Sequence, residues 1–110
     1  MVSDLLSPEV DAERDLEILE ILLNDFARAL GENPVGENDE IIAALQGMNA
    51  KGLRFFPAQH RALSPEGKLL DRWGTPWFFH ALSGRSMDII SAGPDGEFGT
   101  GDDLRGEKTR

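Results

Sequence analysis

One stretch near the beginning of the chain constrains the fold more than any other, because its apolar residues recur at the period of an α-helix. Their spacing alternates between three and four positions at Leu16, Leu19, Leu23, Phe26 and Leu30, and Ile18, Ile21 and Leu22 widen the stripe. Ser7-Pro8 is a helix-start signal, and Gly31 is a natural C-cap. We therefore expect a helix over residues 9–30 whose apolar face packs on a sheet or on another helix, with a coiled-coil seam as the alternative.

Acidic residues crowd the first turns of this predicted helix: Glu9, Asp11, Glu13 and Asp15. Negative side chains suit the positive end of the helix dipole. A second, shorter helix is expected from Asn38 or Asp39, either of which would cap it, to about Gln46. Its inward-facing residues would be Ile41, Ile42 and Leu45. Residues 51–56 fit a short strand or an extended segment.

The last third of the chain predicts an antiparallel hairpin. Residues 77–81 are rich in aromatic side chains and predict one strand, and residues 86–91 predict the return strand after a short turn. Met87 and Ile89 would share one face of that strand. The expected fold class is α+β: a long N-terminal α-helix and a short second helix packed on a small antiparallel β-sheet, with an Asp/Gly-rich loop at the C-terminal end.

Composition excludes several functional classes. The 110 residues suffice for one domain. Acidic side chains number 20 against 11 basic ones, and this balance argues against a nucleic-acid partner, since binding phosphates requires a basic patch. The absence of cysteine excludes thiol catalysis, disulfides and cysteine-based zinc sites. No apolar run approaches the roughly 18 residues that a membrane span requires.

An acidic, glycine-rich segment follows the return strand over residues 91–103, with the sequence SAGPDGEFGTGDD. Glycines allow tight turns, and carboxylates together with backbone carbonyls suit a hard cation such as Ca²⁺. The segment is not an EF-hand, which requires alternating ligands and a glutamate at its twelfth position. From the residues alone, a calcium-binding loop and a solvated turn both remain open.

Catalytic constellations find little support, and we expect no enzyme. His60 and His80 are the only histidines, they lie in separate segments, and no serine or threonine stands in a nucleophile-elbow context. A hydrolase with paired carboxylates stays open on residue types alone. We interpret Trp73 and Trp77 as an aromatic cluster that closes the core, and Asp71 as a residue that caps a turn or binds nearby backbone.

Two motifs in the second half of the chain point to a known family. The first is Asp71-Arg72-Trp73-Gly74-Thr75-Pro76-Trp77, and the second runs from Asp88 through the acidic segment to Leu104. They resemble the D-x-W-G-x-P-aromatic segment, and the terminal strand with its calcium loop, of the major pseudopilin of type II secretion and related type IV pilin-like proteins. The resemblance covers residues 69–104 closely and extends to the helices of residues 11–46.

This resemblance implies a calcium site. Carried over by position, Asp95 and Asp103 would be the best side-chain ligands, and Asp102 the next. Ala92 matches the family position that offers a backbone carbonyl. It also implies a single pseudopilin-like domain over residues 9–104, which would leave residues 1–8 as a flexible lead-in and 105–110 as a flexible tail.

The implied function is structural and not enzymatic. Members of this family are subunits of a type II secretion pseudopilus or a related type IV pilus-like filament, and they act in protein secretion with other pseudopilin subunits and the secretion machinery. Their location is the cell envelope, on the periplasmic side of the inner membrane.

The sequence departs from the family at its N-terminus. The family's apolar anchor helix, preceded by a prepilin-peptidase site, is absent from these residues. We expect that this anchor has been removed, and membrane contact would occur only through it. Alternatively the chain is a naturally soluble relative, and its function would be that of a soluble calcium-dependent protein-interaction module outside any filament.

Overall fold

The architecture is α+β, as the sequence predicts. The structure is a computed structural model that describes Leu5 and residues 11–81, 87–94, 96–98 and 104–106. These residues form two helices, α1 (Ala12–Leu30) and α2 (Asn38–Leu45), and then three strands, β1 (Phe78–Ala81), β2 (Met87–Ser91) and β3 (Leu104–Gly106). The strands make one antiparallel sheet in the order β1-β2-β3.

Helix α1 begins later than the sequence predicts. Asp11 has extended backbone and is the N-cap, and its Oδ1 accepts a hydrogen bond of 3.0 Å from the Arg14 amide. The predicted start at residue 9 is therefore wrong, because a short acidic side chain just before the apolar stripe caps the free amides there. Ser7-Pro8 lies outside the described residues. The C-terminal prediction is confirmed: Gly31 has a φ of 100° and its amide donates to the Ala27 carbonyl at 2.8 Å.

The apolar face of α1 packs on the sheet through contacts with β2 and β3. Its buried residues are Asp15, Ile18, Leu19, Leu22, Leu23, Phe26 and Ala27. Ile21, which the sequence placed on the stripe, is 37% exposed, so the buried face is narrower on that side than predicted. The coiled-coil alternative is unnecessary to explain the stripe, since the sheet covers it.

Helix α2 is held to a distant segment of the chain by hydrogen bonds of the Asn38 side chain. Its N-cap is Glu37, whose amide donates to Oε1 of Glu40 at 2.8 Å, so the predicted cap at Asn38 or Asp39 is wrong. The Asn38 side chain instead donates to the carbonyls of Leu69 (3.1 Å) and Trp77 (2.7 Å) and accepts from the Leu69 amide (2.7 Å). One amide side chain thus fixes α2 to the segment that precedes β1.

Residues 51–56 form no strand, so the strand alternative is wrong. Oδ1 of Asn49 accepts from the amides of Lys51 and Leu53, both at 3.1 Å, and shapes the segment as a turn. The Phe55 amide then donates to the Leu45 carbonyl at 2.7 Å. Phe56 is buried in the core, whereas Leu53 is 41% exposed.

The predicted hairpin is confirmed with slightly shorter strands. Phe79 of β1 lies opposite Ile89 of β2, and both are buried, together with Met87 on the same face. Strand β3 was not predicted: Leu104 pairs with Ser91, and Arg105 and Gly106 pair with the preceding residues of β2. Strand β3 thus includes Arg105 and Gly106, the first two residues of the predicted tail.

The hydrophobic core draws on nearly every described element. Its fully buried large side chains include Leu5, Ile18, Ile42, Phe56, Leu69 and Ile89. Leu5 is 1% exposed, so the lead-in predicted to be flexible contributes at least this one residue to the core. Within the described part of the chain, no helix is long and apolar enough to cross a membrane.

Candidate functional site

The first of the two family-like motifs folds into a turn around the buried carboxylate of Asp71. Its Oδ1 accepts from the amides of Trp73 (3.0 Å) and Thr75 (2.9 Å), and its own amide donates to the Thr75 carbonyl at 2.8 Å. Gly74 has a φ of 86°, which side chains with a Cβ rarely adopt. The prediction that Asp71 binds nearby backbone is confirmed. We call residues 71–77 the Asp71 turn.

The other carboxylate oxygen of Asp71 reaches the second motif. The Ser91 hydroxyl donates to Oδ2 of Asp71 at 2.7 Å and accepts from the Gly93 amide at 3.2 Å. Asp71 is 2% exposed and Ser91 is fully buried, so all three groups lie away from solvent. Buried polar groups are costly unless they are paired, and this small network pairs them.

The described start of the acidic loop folds tightly against the Asp71 turn. Gly93 and Gly96 have φ values of 82° and 72°, and the Gly96 amide donates to the Gly93 carbonyl at 3.1 Å. A Cβ added at Gly96 would lie 3.5 Å from Oγ1 of Thr75, so the loop packs on that side chain. The pairing of Ser91 with Leu104 then makes the two ends of the loop neighbours in the sheet. The acidic segment is thus the loop that connects two paired strands.

A buried ion pair anchors the other side of the turn. Nε and Nη2 of Arg72 donate to Oδ2 and Oδ1 of Asp15 at 2.5 and 3.1 Å, which is a two-pronged arrangement. Asp15 is fully buried in the first turns of α1, and the Arg72 side chain is 18% exposed. Consecutive residues of one turn therefore hold α1 through Arg72 and the acidic loop through Asp71.

The structure describes one of the four predicted calcium ligands. Ala92 is fully buried at the start of the loop. Asp95, Asp102 and Asp103 lie outside the described residues.

In the part of the chain that is described, no group of three or more acidic, histidine or cysteine side chains is arranged to hold a metal. This absence says nothing of Asp95, Asp102 and Asp103, which lie outside the described residues.

The two histidines lie in unrelated surroundings. His60 packs against the Phe56 ring and accepts from the Ala62 amide at 3.0 Å through Nδ1. His80 is exposed on β1, as its strand position predicts, with its ring stacked 6.0 Å from that of Phe78.

A cleft of about 370 Å³ lies beside β1 and is lined by the start of α2 and by Pro76, Trp77 and Phe78. Glu37 in this cleft is the N-cap of α2.

The prediction that Trp73 and Trp77 close the core is confirmed for Trp77 and wrong for Trp73. Trp77 is buried in the core, whereas Trp73 is 40% exposed. Three other rings gather on the surface instead. Phe78 and Phe98 are about half exposed and meet edge to face at 6.1 Å, next to His80. This exposed group is where the described loop meets the edge strand β1.

Sequence reasoning missed two residues of this region, Asp15 and Ser91. Asp15 lies three and seven positions before Ile18 and Leu22, so it occupies the apolar face of α1, where a carboxylate requires a partner. That spacing was a usable signal for its burial. The role of Ser91 had no local signal, because its partner lies in a separate turn.

Comparisons with protein-family models, with curated proteins and with solved structures return no match for this chain. The fold and the contacts around Asp71 are therefore the basis for any functional proposal.

Proposed function

We propose that this chain is the globular head of a pseudopilin-like structural subunit, with a calcium-binding loop at its C-terminal end. Such a subunit would assemble with other copies and with the secretion machinery in the cell envelope. Its function would be mechanical and not enzymatic.

The observation that carries this proposal is the hydrogen bond of 2.7 Å between Ser91 and Asp71. Each residue belongs to one of the two motifs on which the family resemblance rests, and the motifs were recognised separately in the sequence. A chance resemblance in two short stretches would not require them to touch. Their union in one buried network supports reading them as parts of one functional unit.

The layout of the domain also supports the proposal. Helix α1 packs its apolar face on the sheet, and the acidic loop begins and ends on neighbouring strands β2 and β3. A loop with its ends held together can bring distant carboxylates to one cation at a lower entropic cost than an open tail.

The predicted ligand atoms are of the kind that calcium prefers. Ca²⁺ takes six to eight oxygen ligands at roughly 2.3–2.6 Å, and it accepts backbone carbonyls alongside carboxylates. The buried carbonyl of Ala92 is such an oxygen, and Asp95, Asp102 and Asp103 would supply the charge. Bound calcium would neutralise the carboxylates and stabilise the folded loop, because a ligand that binds only the folded form shifts the folding equilibrium.

A rigid loop would then offer a defined surface to the next subunit. Phe98, about half exposed in the described part of the loop, together with Phe78 and His80 of β1, provides apolar area there. Aromatic side chains are enriched at protein interfaces.

Site-specific photo-crosslinking in the native cells tests this function. A photoreactive amino acid at Phe98 should give adducts that contain a second copy of the chain, recovered from the envelope fraction. The matched control is Met48, which is 78% exposed and follows α2 in the chain. Recovery of the chain in the soluble fraction alone, without self-adducts from Phe98, would contradict the filament role.

The alternative is a soluble calcium-dependent interaction module. Under this alternative the same probe at Phe98 would capture a different protein, and only when calcium is present. The identity of the adduct therefore separates the two functions.

A further inference from the structure

A groove of about 420 Å³ is lined by the C-terminal part of α1, by α2 and by the segments that follow them. Phe26 and Leu30 of α1 and Ala44 of α2 contribute apolar side chains to it. The two most exposed large apolar side chains among the described residues, Val35 (70%) and Met48 (78%), also line it. Apolar surface gathered on one groove is typical of an interaction site.

The side chain of Asn33 lies in this groove without a hydrogen-bond partner among the described residues. Asn33 is nevertheless only 7% exposed. Asn49, which also lines the groove, shows the contrast, because its side chain donates to the carbonyls of Ala44 and Leu53 at 2.8 and 2.7 Å. A buried amide that lacks a partner destabilises the free chain, and a ligand that pairs this amide recovers the loss.

The chemistry of the groove indicates what would fill it. The Asn33 amide presents an acceptor oxygen beside a donor NH₂ group. An extended peptide offers a free N–H and a free C=O to such an amide, whereas a helix uses these groups internally. The charged side chains that line the groove are Glu32 and Glu40, both acidic, and the chain has a net charge of −9. This field attracts a basic segment and repels a second copy of the chain.

We propose that this groove binds an extended segment of another protein, in which an apolar side chain is flanked by lysine or arginine. Asn33 pairs with the backbone of the segment, and Glu32 lies at the position of the basic side chain. The inference goes beyond the function proposed above, since the described residues of the groove lie outside the acidic loop and the Asp71 turn. A photoreactive probe at Met48 would capture this other protein, so Met48 remains a control for self-adducts.

An array of immobilised pentapeptides tests the specificity of the groove. Each peptide has leucine, methionine, phenylalanine or valine at its centre and either arginine or glutamate on both sides. The unmodified chain should be retained by arginine-flanked peptides and not by glutamate-flanked ones, equally in CaCl₂ and in chelator. Fluorescence anisotropy of the peptide that binds best, labelled with a fluorophore, then gives its dissociation constant.

Variants of the groove separate specific binding from attraction to an acidic surface. Asn33→Ala should weaken binding of the labelled peptide about thirtyfold, because two hydrogen bonds are lost. Glu32→Gln should weaken it about threefold, whereas Glu66→Gln removes an equal charge outside the groove and should leave it unchanged. N-methylation of the peptide backbone should weaken binding about fivefold at one position, and should have no such effect on Asn33→Ala.

The stability of the free chain separates a binding role of Asn33 from a structural one. Asn33→Leu replaces an unpaired buried amide with an apolar side chain of similar size, so the urea midpoint should rise by about 0.5 M. Asn49→Ala is the matched control. It removes an amide that is paired within the chain and should lower the midpoint.

Binding of arginine-flanked peptides that depends on Asn33, together with a higher urea midpoint in Asn33→Leu, supports the inference. It would be overturned by equal binding of the labelled peptide to Asn33→Ala, or by failure of every arginine-flanked peptide to retain the unmodified chain. A lower urea midpoint in Asn33→Leu would also overturn it, because the amide would then have a structural role. None of these results bears on calcium binding by the acidic loop, which calcium-dependent melting tests separately.

Discussion

Two aspartates, Asp15 and Asp71, are buried to the same extent but are satisfied in different ways. Asp15 lies in α1 against the guanidinium of Arg72, so it is paired with a charge. Asp71 accepts from two backbone amides and a serine hydroxyl, all neutral donors. Both carboxylates contact the Asp71 turn. Asp15 binds it through Arg72, and Asp71 accepts from amides within it.

The difference teaches what each carboxylate contributes. A charge pair can survive small changes of geometry, but it requires a negative partner. Three neutral donors need acceptor oxygens at defined positions, and loss of the carboxylate that supplies them leaves those donors unpaired. We therefore expect Asp15 to attach the helix through its charge, and Asp71 to shape the turn and the loop through its hydrogen bonds.

The largest effect is expected from Asp71→Ala. Three donors lose their acceptor at once, and the free energy of unfolding should fall by about 3 kcal/mol. Urea unfolding followed by tryptophan fluorescence measures this change, with Asp11→Ala as the control for losing an exposed helix cap. A loss no larger than that of Asp11→Ala would show that the Asp71 network adds little stability.

Asp15→Ala should have a smaller effect. Removal of one member of a buried pair is costly, but Arg72 is partly exposed and can turn toward water, so we expect a loss of about 2 kcal/mol. Arg14→Ala, which breaks the exposed pair with Glu17 on the same helix, should cost only about 0.3 kcal/mol. Equal losses in the two urea experiments would remove the case for a buried pair.

When asparagine and not alanine is the replacement, the loss of unfolding free energy should be larger at Asp15 than at Asp71. Asp15→Asn loses the charge that Arg72 requires and should cost about 1.5 kcal/mol, whereas Asp71→Asn keeps an acceptor for both amides and should cost about 0.7 kcal/mol. The same urea assay measures both variants. If Asp71 is the more sensitive position in both series, the proposed division between charge and geometry is wrong.

The smallest expected effect is that of salt. Raising NaCl from 0.1 to about 1 M shortens the screening length from about 10 to 3 Å and weakens ion pairs that water reaches. On this change in salt, the free energy of unfolding of Asp15→Asn should fall by a few tenths of a kcal/mol less than that of the unmodified chain. Asp71→Asn should follow the unmodified chain, because its partners are neutral.

The sequence was sufficient where local pattern and tertiary packing agree. The period of α1 and its glycine cap predicted the helix and its end, and alternation predicted the pairing of β1 with β2. These features depend on residues close together in the chain, and the sheet that covers α1 was the expected partner.

Long-range partners account for most of what the sequence could not supply. Asn38 is typical of a helix cap, but its side chain is drawn to Leu69 and Trp77, more than thirty positions away. Strand β3 is three residues long and carries too little alternation to be recognised. The pairing of Asp71 with Ser91 depends on the completed sheet, so only the structure could bring the two motifs together.

Calcium binding by the acidic loop is tested most directly by thermal unfolding with and without calcium. Saturating CaCl₂ should raise the melting temperature of the unmodified chain above its value in chelator, by about 12 °C if calcium is at 100 times its dissociation constant. Asp95→Ala should abolish this rise, and Asp39→Ala, which removes an equal charge from the start of α2, should preserve it. Identical melting temperatures in CaCl₂ and chelator for the unmodified chain would contradict calcium binding by the acidic loop.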